Sequence, residues 1–275
     1  RIEVIRHGYE PNSTWNFAES KQNDTDVILK KTGLDRPSPP ESKRFTLAYT
    51  GQLRGIDVAD MGRGRRILQQ ADHLARRIAW GASFCENLIM EWMSPDRLIA
   101  GLGRLAEKSP DFRRDLRLIF CGQPYGQIDR WAQRANLGGK VIQLGCLSAG
   151  QAREILLGAD VLILMLYGIK NNDYHWCVPS KVYDYLCTGK PILNLTPAGE
   201  VNDMVNRAGV AYNARPDDAE EIAGVIEGLY QQHRAGGIAV RPDWEYIRQF
   251  EIARQQEKFI QVVLETAQQG AAAVL

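Results

Sequence analysis

Net charge is the first thing this 275-residue chain lacks: 34 Lys and Arg stand against 33 Asp and Glu. That balance offers no bulk attraction to nucleic acid and leaves a membrane surface at most a peripheral partner. No apolar run reaches the roughly 20 residues that a membrane-spanning helix needs, and no signal peptide is recognisable. The five cysteines, Cys85, Cys121, Cys146, Cys177 and Cys187, are too widely spaced for a metal site. Scattered thiols in odd number fit a reducing cytoplasm, so all are expected to be unpaired. A dinucleotide fingerprint is missing too, because Gly62-Arg63-Gly64 follows no strand. The first residue is Arg rather than Met, which reads as a piece of a longer protein.

What the chain does have is alternation. Strand-like runs begin at Phe45, Leu116, Val141, Val161 and Ile192. Helical patterns separate them, from Pro95, from Tyr125 to Asn136, and from Ser148 to Leu157. Others start near Gly199 and at Asp217 or Asp218, the latter running to about Gln231. This order predicts an α/β protein: a Rossmann-like, doubly wound parallel sheet with helices on both faces. Residues 1–44 read as a strand and a polar, proline-ended linker, and residues 45–235 as the sheet domain. Residues 236–275 read as a helical tail, one long helix from Trp244 to Gln269. Asp57 to Met93 is a helical insertion, whose Arg63, Arg65 and Arg66 lie on a basic face that is solvated by default.

The organising stretch is Val178-Pro179-Ser180-Lys181-Val182-Tyr183-Asp184-Tyr185-Leu186-Cys187-Thr188-Gly189-Lys190-Pro191. It reads as a short helix with marked ends: Ser180 as N-cap, Gly189 in the left-handed position after the last turn, Pro191 forbidding continuation. Held between two apolar strands, its amino end faces the crevice where α/β sheets bind ligands. Free amides, Ser180 and Lys181 would make a phosphate site there. Asp184, one turn on, suits sugar hydroxyls. Local chemistry alone is equally consistent with a capped helix carrying solvated polar side chains. Tyr167 to Trp176, the polar loop before this helix, stands at a strand's carboxyl end and is a ligand loop by position.

The pattern Pro-Ser-Lys, an acid, then Gly-Lys-Pro resembles the donor-binding helix of GT-B glycosyltransferases of the retaining "group 1" family. Phe-x-Gly at Phe120, a glycine at Gly145 and Ala-Asp-Val-Leu at Ala159 carry the likeness across residues 45–235. The resemblance implies that Ser180 and Lys181 touch the donor diphosphate and that Asp184 holds the ribose. It implies that Gly51 admits the phosphates, with Arg54 the nearest base, and that Gly199 and Glu200 reach the donor sugar. Many members carry a Glu with seven residues between it and the acid; Trp176 stands there instead, leaving His175 and Trp176 as substitutes on the sugar ring.

The resemblance further implies sugar transfer from a nucleoside diphosphate sugar to an acceptor hydroxyl, with retention, without metal or other cofactor. Lys181, Arg54 and His175 are the catalytic candidates. The acceptor would bind a first domain outside this chain, and the tail would cross back onto it, unless it mediates oligomerisation. A same-fold epimerase and a non-catalytic partner-binding domain are the alternatives. Arg6-His7-Gly8 is similar to a phosphohistidine motif of the phosphoglycerate mutase type, but His73, His175 and His233 give it no matching context.

Overall fold

The computed structural model describes residues 44–51, 88–89, 94–166, 168–169, 175 and 177–272. The first strand, β1 (Phe45–Thr50), is buried almost along its whole length, as a strand covered on both faces is. Phe45, Leu47 and Tyr49 point to one side, and Ala48 packs on the other. A two-residue strand, β2 (Leu88–Ile89), follows inside the stretch read as a helical insertion, so that reading fails there. Its ladder is supplied from elsewhere, by β6 (Gly168–Ile169), which it meets antiparallel. The rest of the insertion lies outside the described residues, as does the expected strand and linker up to residue 43.

Helix α1 (Asp96–Lys108) begins after Pro95 as expected, and a second helix, α2 (Pro110–Asp115), stands before β3 (Leu116–Cys121). Ser109 caps α2 by accepting from Phe112 N at 3.2 Å, with Pro110 at the first helical position. Then come α3 (Gln127–Arg134), β4 (Val141–Gly145) and α4 (Ala149–Gly158). Ser148 and Gln151 form the capping box of α4. β5 (Val161–Met165) leads through β6 to α5 (Lys181–Leu186), β7 (Ile192–Leu195) and α6 (Glu200–Arg207). A short β8 (Ala211–Asn213), absent from the sequence reading, precedes α7 (Ala219–Arg234). Asp218 caps α7 through Glu220 N and Glu221 N.

The six main strands run in the order β4-β3-β1-β5-β7-β8, and every neighbouring pair is parallel. Counted within the sheet, that is the doubly wound order 3-2-1-4-5-6, reversing between β1 and β5. One face packs α1, α3 and α7 through residues such as Leu102, Ile128 and Ile226. The other packs α4, α5 and α6 through Ile155, Val182, Leu186 and Met204. Under α7 the buried Asp115 accepts from Tyr230 Oη at 2.7 Å, from Arg114 Nε at 2.9 Å and from Arg234 Nη1 at 3.2 Å.

The tail is two helices rather than one, α8 (Trp244–Arg248) and α9 (Ile252–Ala272). At the break Phe250 is fully buried, edge-on to Tyr183 at 5.5 Å and to Tyr246 at 5.2 Å. Trp244 meanwhile lies against Gly189, which takes the expected left-handed φ of +63°. Beyond the break, Phe259, Ile260, Val263 and Leu264 are exposed. Among the described residues no helix is long and apolar enough to cross a membrane.

Candidate functional site

Ligands of doubly wound sheets bind outside the carboxyl ends of the strands, at the point where the order reverses. At that point β1 and β5 end side by side. The turns after β1, β3 and β4 interlock beside them. Gly51 N donates to Cys121 O and Gly122 N to Gly145 O, each at 2.8 Å. A Cβ on Gly122 would come within 2.0 Å of Gly51 O, so only glycine fits. Gly51 itself stands at φ +125° and is exposed, leaving bare backbone at the edge of the crevice.

Lys181 opens α5 and reaches across both strand ends. Its Nζ donates to Tyr49 Oη of β1 at 2.9 Å and has a longer contact, 3.5 Å, with Met165 O of β5. The same atom lies 4.2 Å from the centroid of the Tyr49 ring. It also neighbours Gly51, where a Cβ would sit 3.8 Å from Nζ. Among the described residues no carboxylate pairs with Lys181, and burial pushes its amine down to about 7. The phenols around it move the other way for the same reason. Burial raises Tyr49 well above its ordinary value and lifts Tyr185 to about 12, so both stay protonated.

Ser180 does not cap α5. Its backbone is already helical, φ −55° and ψ −35°, whereas a capping side chain folds back from an extended backbone. Val182 N and Tyr183 N are instead taken by Pro179 O and Ser180 O at 3.1 and 3.0 Å. Since α5 is only six residues long, Lys181 rather than a row of free amides supplies positive charge here. Ser180 is exposed, and Asp184 is half-buried one turn further on.

His175 is buried, and its backbone bridges to Gly199. His175 N donates to Ala198 O at 3.1 Å, and Glu200 N donates to His175 O at 2.8 Å. A Cβ on Gly199 would meet His175 O at 2.2 Å, so this glycine admits the loop backbone. The amide of Glu200 is therefore already committed to the loop backbone. Burial lowers the His175 imidazole, which favours its neutral form. Arg54 and Trp176 lie outside the described residues. Depressions of about 350 Å³ beside Trp131 and about 320 Å³ beside Arg117 are elsewhere on the molecule.

Lys181 and Gly51 are thus brought together, and His175, Gly199 and Glu200 form a second group on the β7 side. Tyr49, Tyr185, Gly122 and Met165 were not singled out from the sequence as site residues. One signal for Tyr49 was legible: it is the last inward position of β1, a polar-tipped aromatic at a strand's carboxyl end. That Lys181 would reach it depends on the strand order.

No protein-family model and no curated protein matches the sequence. Solved structures do match. Anabaena HepE, in complex with UDP and glucose, superposes with a TM-score of 0.58 at 13% identity, covering 96% of this chain and 57% of that one. A glycosyltransferase of Rickettsia africae gives 0.56 at 14% identity, with 96% and 57% covered. Sucrose-phosphate synthase of Thermosynechococcus elongatus gives 0.54 at 13% identity, with 96% and 52% covered. This chain spans little more than half the length of these structures. Identity this low carries fold alone, and on that ground the chain has the Rossmann-like α/β fold found in GT-B glycosyltransferases.

Proposed function

We propose that this chain is the donor-binding half of a GT-B glycosyltransferase, which transfers a sugar from a nucleoside diphosphate to an acceptor hydroxyl with retention. The observation that carries the proposal is Lys181, whose amine is held over the ends of β1 and β5 beside Gly51 with no carboxylate partner among the described residues. A diphosphate is the anion such a cation would accept at a doubly wound switch point. HepE was solved in complex with UDP and glucose and with UDP-glucose, which agrees with that ligand class.

Cleavage of the anomeric bond builds charge on the departing diphosphate. Lys181, protonated when it meets the phosphates, stabilises that charge more than it stabilises the ground state, and Arg54 joins it. The proposal needs no metal ion for this role. Asp184 accepts from the ribose hydroxyls, Ser180 joins Lys181 on the diphosphate, and Gly199 and Glu200 border the sugar. His175, kept neutral by burial, hydrogen-bonds the sugar rather than adding charge. The acceptor binds a domain outside this chain, so the chain alone binds donor and turns over poorly.

Thermal unfolding with UDP, ADP and GDP tests this reading. At a hundredfold excess over its dissociation constant the correct nucleotide adds about 2.7 kcal/mol of stability. No stabilisation by any of the three overturns the proposal.

A further inference from the structure

The proposed donor site leaves Tyr49 unexplained. Its ring fills the core with Phe120, 6.1 Å away, as an inward aromatic of β1 should. A phenylalanine would do that equally well. The hydroxyl does something a core side chain has no need to do: it meets Lys181 Nζ at 2.9 Å at the crevice.

We infer that Tyr49 is a positioning residue for phosphate binding: its hydroxyl and ring hold the Lys181 amine across the strand ends in either protonation state, ready for a phosphate. This rests on the nucleoside diphosphate reading above. The argument is one of donor and acceptor counts. An ammonium has three N–H donors, of which Tyr49 Oη takes one and Met165 O is offered another, leaving the third for a ligand. A neutral amine has two donors and a lone pair. The phenol is a rotor that accepts from the ammonium and donates to the lone pair, so one group fixes both forms in one place.

The surroundings favour the neutral form in the absence of ligand. Among the described residues Tyr49 on β1 meets Lys181, Asp184 and Tyr185 stand three and four residues on along its own helix, and Cys121 at the end of β3 neighbours Tyr185. Burial keeps Tyr49, Tyr185 and Cys121 protonated and uncharged, and Asp184 forms no ion pair with Lys181. A dianionic phosphate reverses the preference, because it repays the cost of charging the amine. Binding at mildly alkaline pH therefore draws a proton from solvent.

Calorimetric titration of UDP and of uridine into the chain at pH 8, in HEPES and in Tris, reads both parts. At that pH the terminal phosphate of UDP has already lost its proton, so any proton taken up goes to the protein. The wild-type chain is expected to take up as much as about 0.9 proton on binding UDP and none on binding uridine, because an amine near 7 is about nine-tenths neutral at pH 8. Tyr49→Phe keeps the ring and removes the hydroxyl; it is expected to weaken UDP five- to tenfold and leave uridine within twofold. Lys181→Met, a second variant, is expected to abolish proton uptake.

A Tyr49→Phe chain whose ratio of UDP to uridine affinity is unchanged overturns the positioning role. UDP binding without buffer-dependent heat overturns the proton step. Absence of binding by UDP, ADP and GDP alike overturns the nucleotide reading itself and this inference with it, so the two failures are distinguishable.

Discussion

Tyr185 Oη accepts the backbone N–H of Thr50 at 2.9 Å, so a side chain of α5 completes the last residue of β1. Thr50 Oγ1 donates to the same phenol at 3.3 Å. The ring is fully buried, so no water replaces it. This bond fixes the height of α5 over the sheet and hence where Lys181 begins. Tyr185→Phe should cost about 1–3 kcal/mol, the range for a buried donor left unsatisfied. Urea unfolding measures that loss, and a change below about 0.5 kcal/mol would mean that Thr50 N finds another partner.

The buried amine of Lys181 makes stability depend on pH in a defined direction. Its value is about 7 when folded against an ordinary 10.5. Below pH 7 both states carry the proton, and the cost of burying the charge is fully present. Between pH 7 and 10.5 the unfolded chain still binds the proton while the folded one does not, so stability rises with pH by up to about 1.4 kcal/mol per unit. Cys187, which burial pushes up to about 11, and Cys121, pushed to about 12, oppose this trend as unfolded thiolates form. The difference between wild type and Lys181→Met isolates the lysine. That difference should shift in favour of wild type as pH rises from 7 to 10; a flat difference would place the amine in water.

Strands β1, β3, β4, β5 and β7 and their parallel direction were legible because each is a short apolar run between helical patterns. Ser148, Asp218 and Gly189 marked their helix ends as expected. Where local signals fell short, tertiary contacts decided. Ser180 looked like a cap but already lies in helical backbone, with Pro179 O and Ser180 O taking the next amides. The tail has helical periodicity throughout, yet it divides after Arg248, where Phe250 is buried against Tyr183. The two-residue β2 carries no pattern of its own, since its partner lies about 80 residues away at Gly168–Ile169. Ser109-Pro110 was a readable cap that the sequence reading passed over. At the site, the Lys181 position was legible from its motif, whereas its pairing with Tyr49 needed the strand order.

Thiol chemistry separates exposure from pairing. Cys121, Cys146, Cys177 and Cys187 are free, with Cys146 and Cys177 exposed and Cys121 buried. An aromatic disulfide reagent at pH 8 should label Cys146 and Cys177 fastest and Cys121 and Cys187 only on opening, because burial holds the latter two as thiols. Denaturation without reductant should release all five cysteine thiols of the sequence. A protected pair would contradict the expectation of a reducing compartment.

The central claim is that Lys181 binds a diphosphate at the crossover of β1 and β5 while Asp184 binds the ribose. Its most direct test is titration of UDP and uridine into the wild-type chain, Lys181→Ala and Asp184→Asn, with melting curves alongside. Lys181→Ala should weaken UDP by about 1.5–3 kcal/mol, the range for a hydrogen bond to a charged group, and leave uridine nearly unchanged. Asp184→Asn should weaken both ligands by similar amounts, because an amide offers one acceptor oxygen where a carboxylate offers two. Equal losses for both variants on both ligands, at unchanged melting temperature, would contradict the assignment.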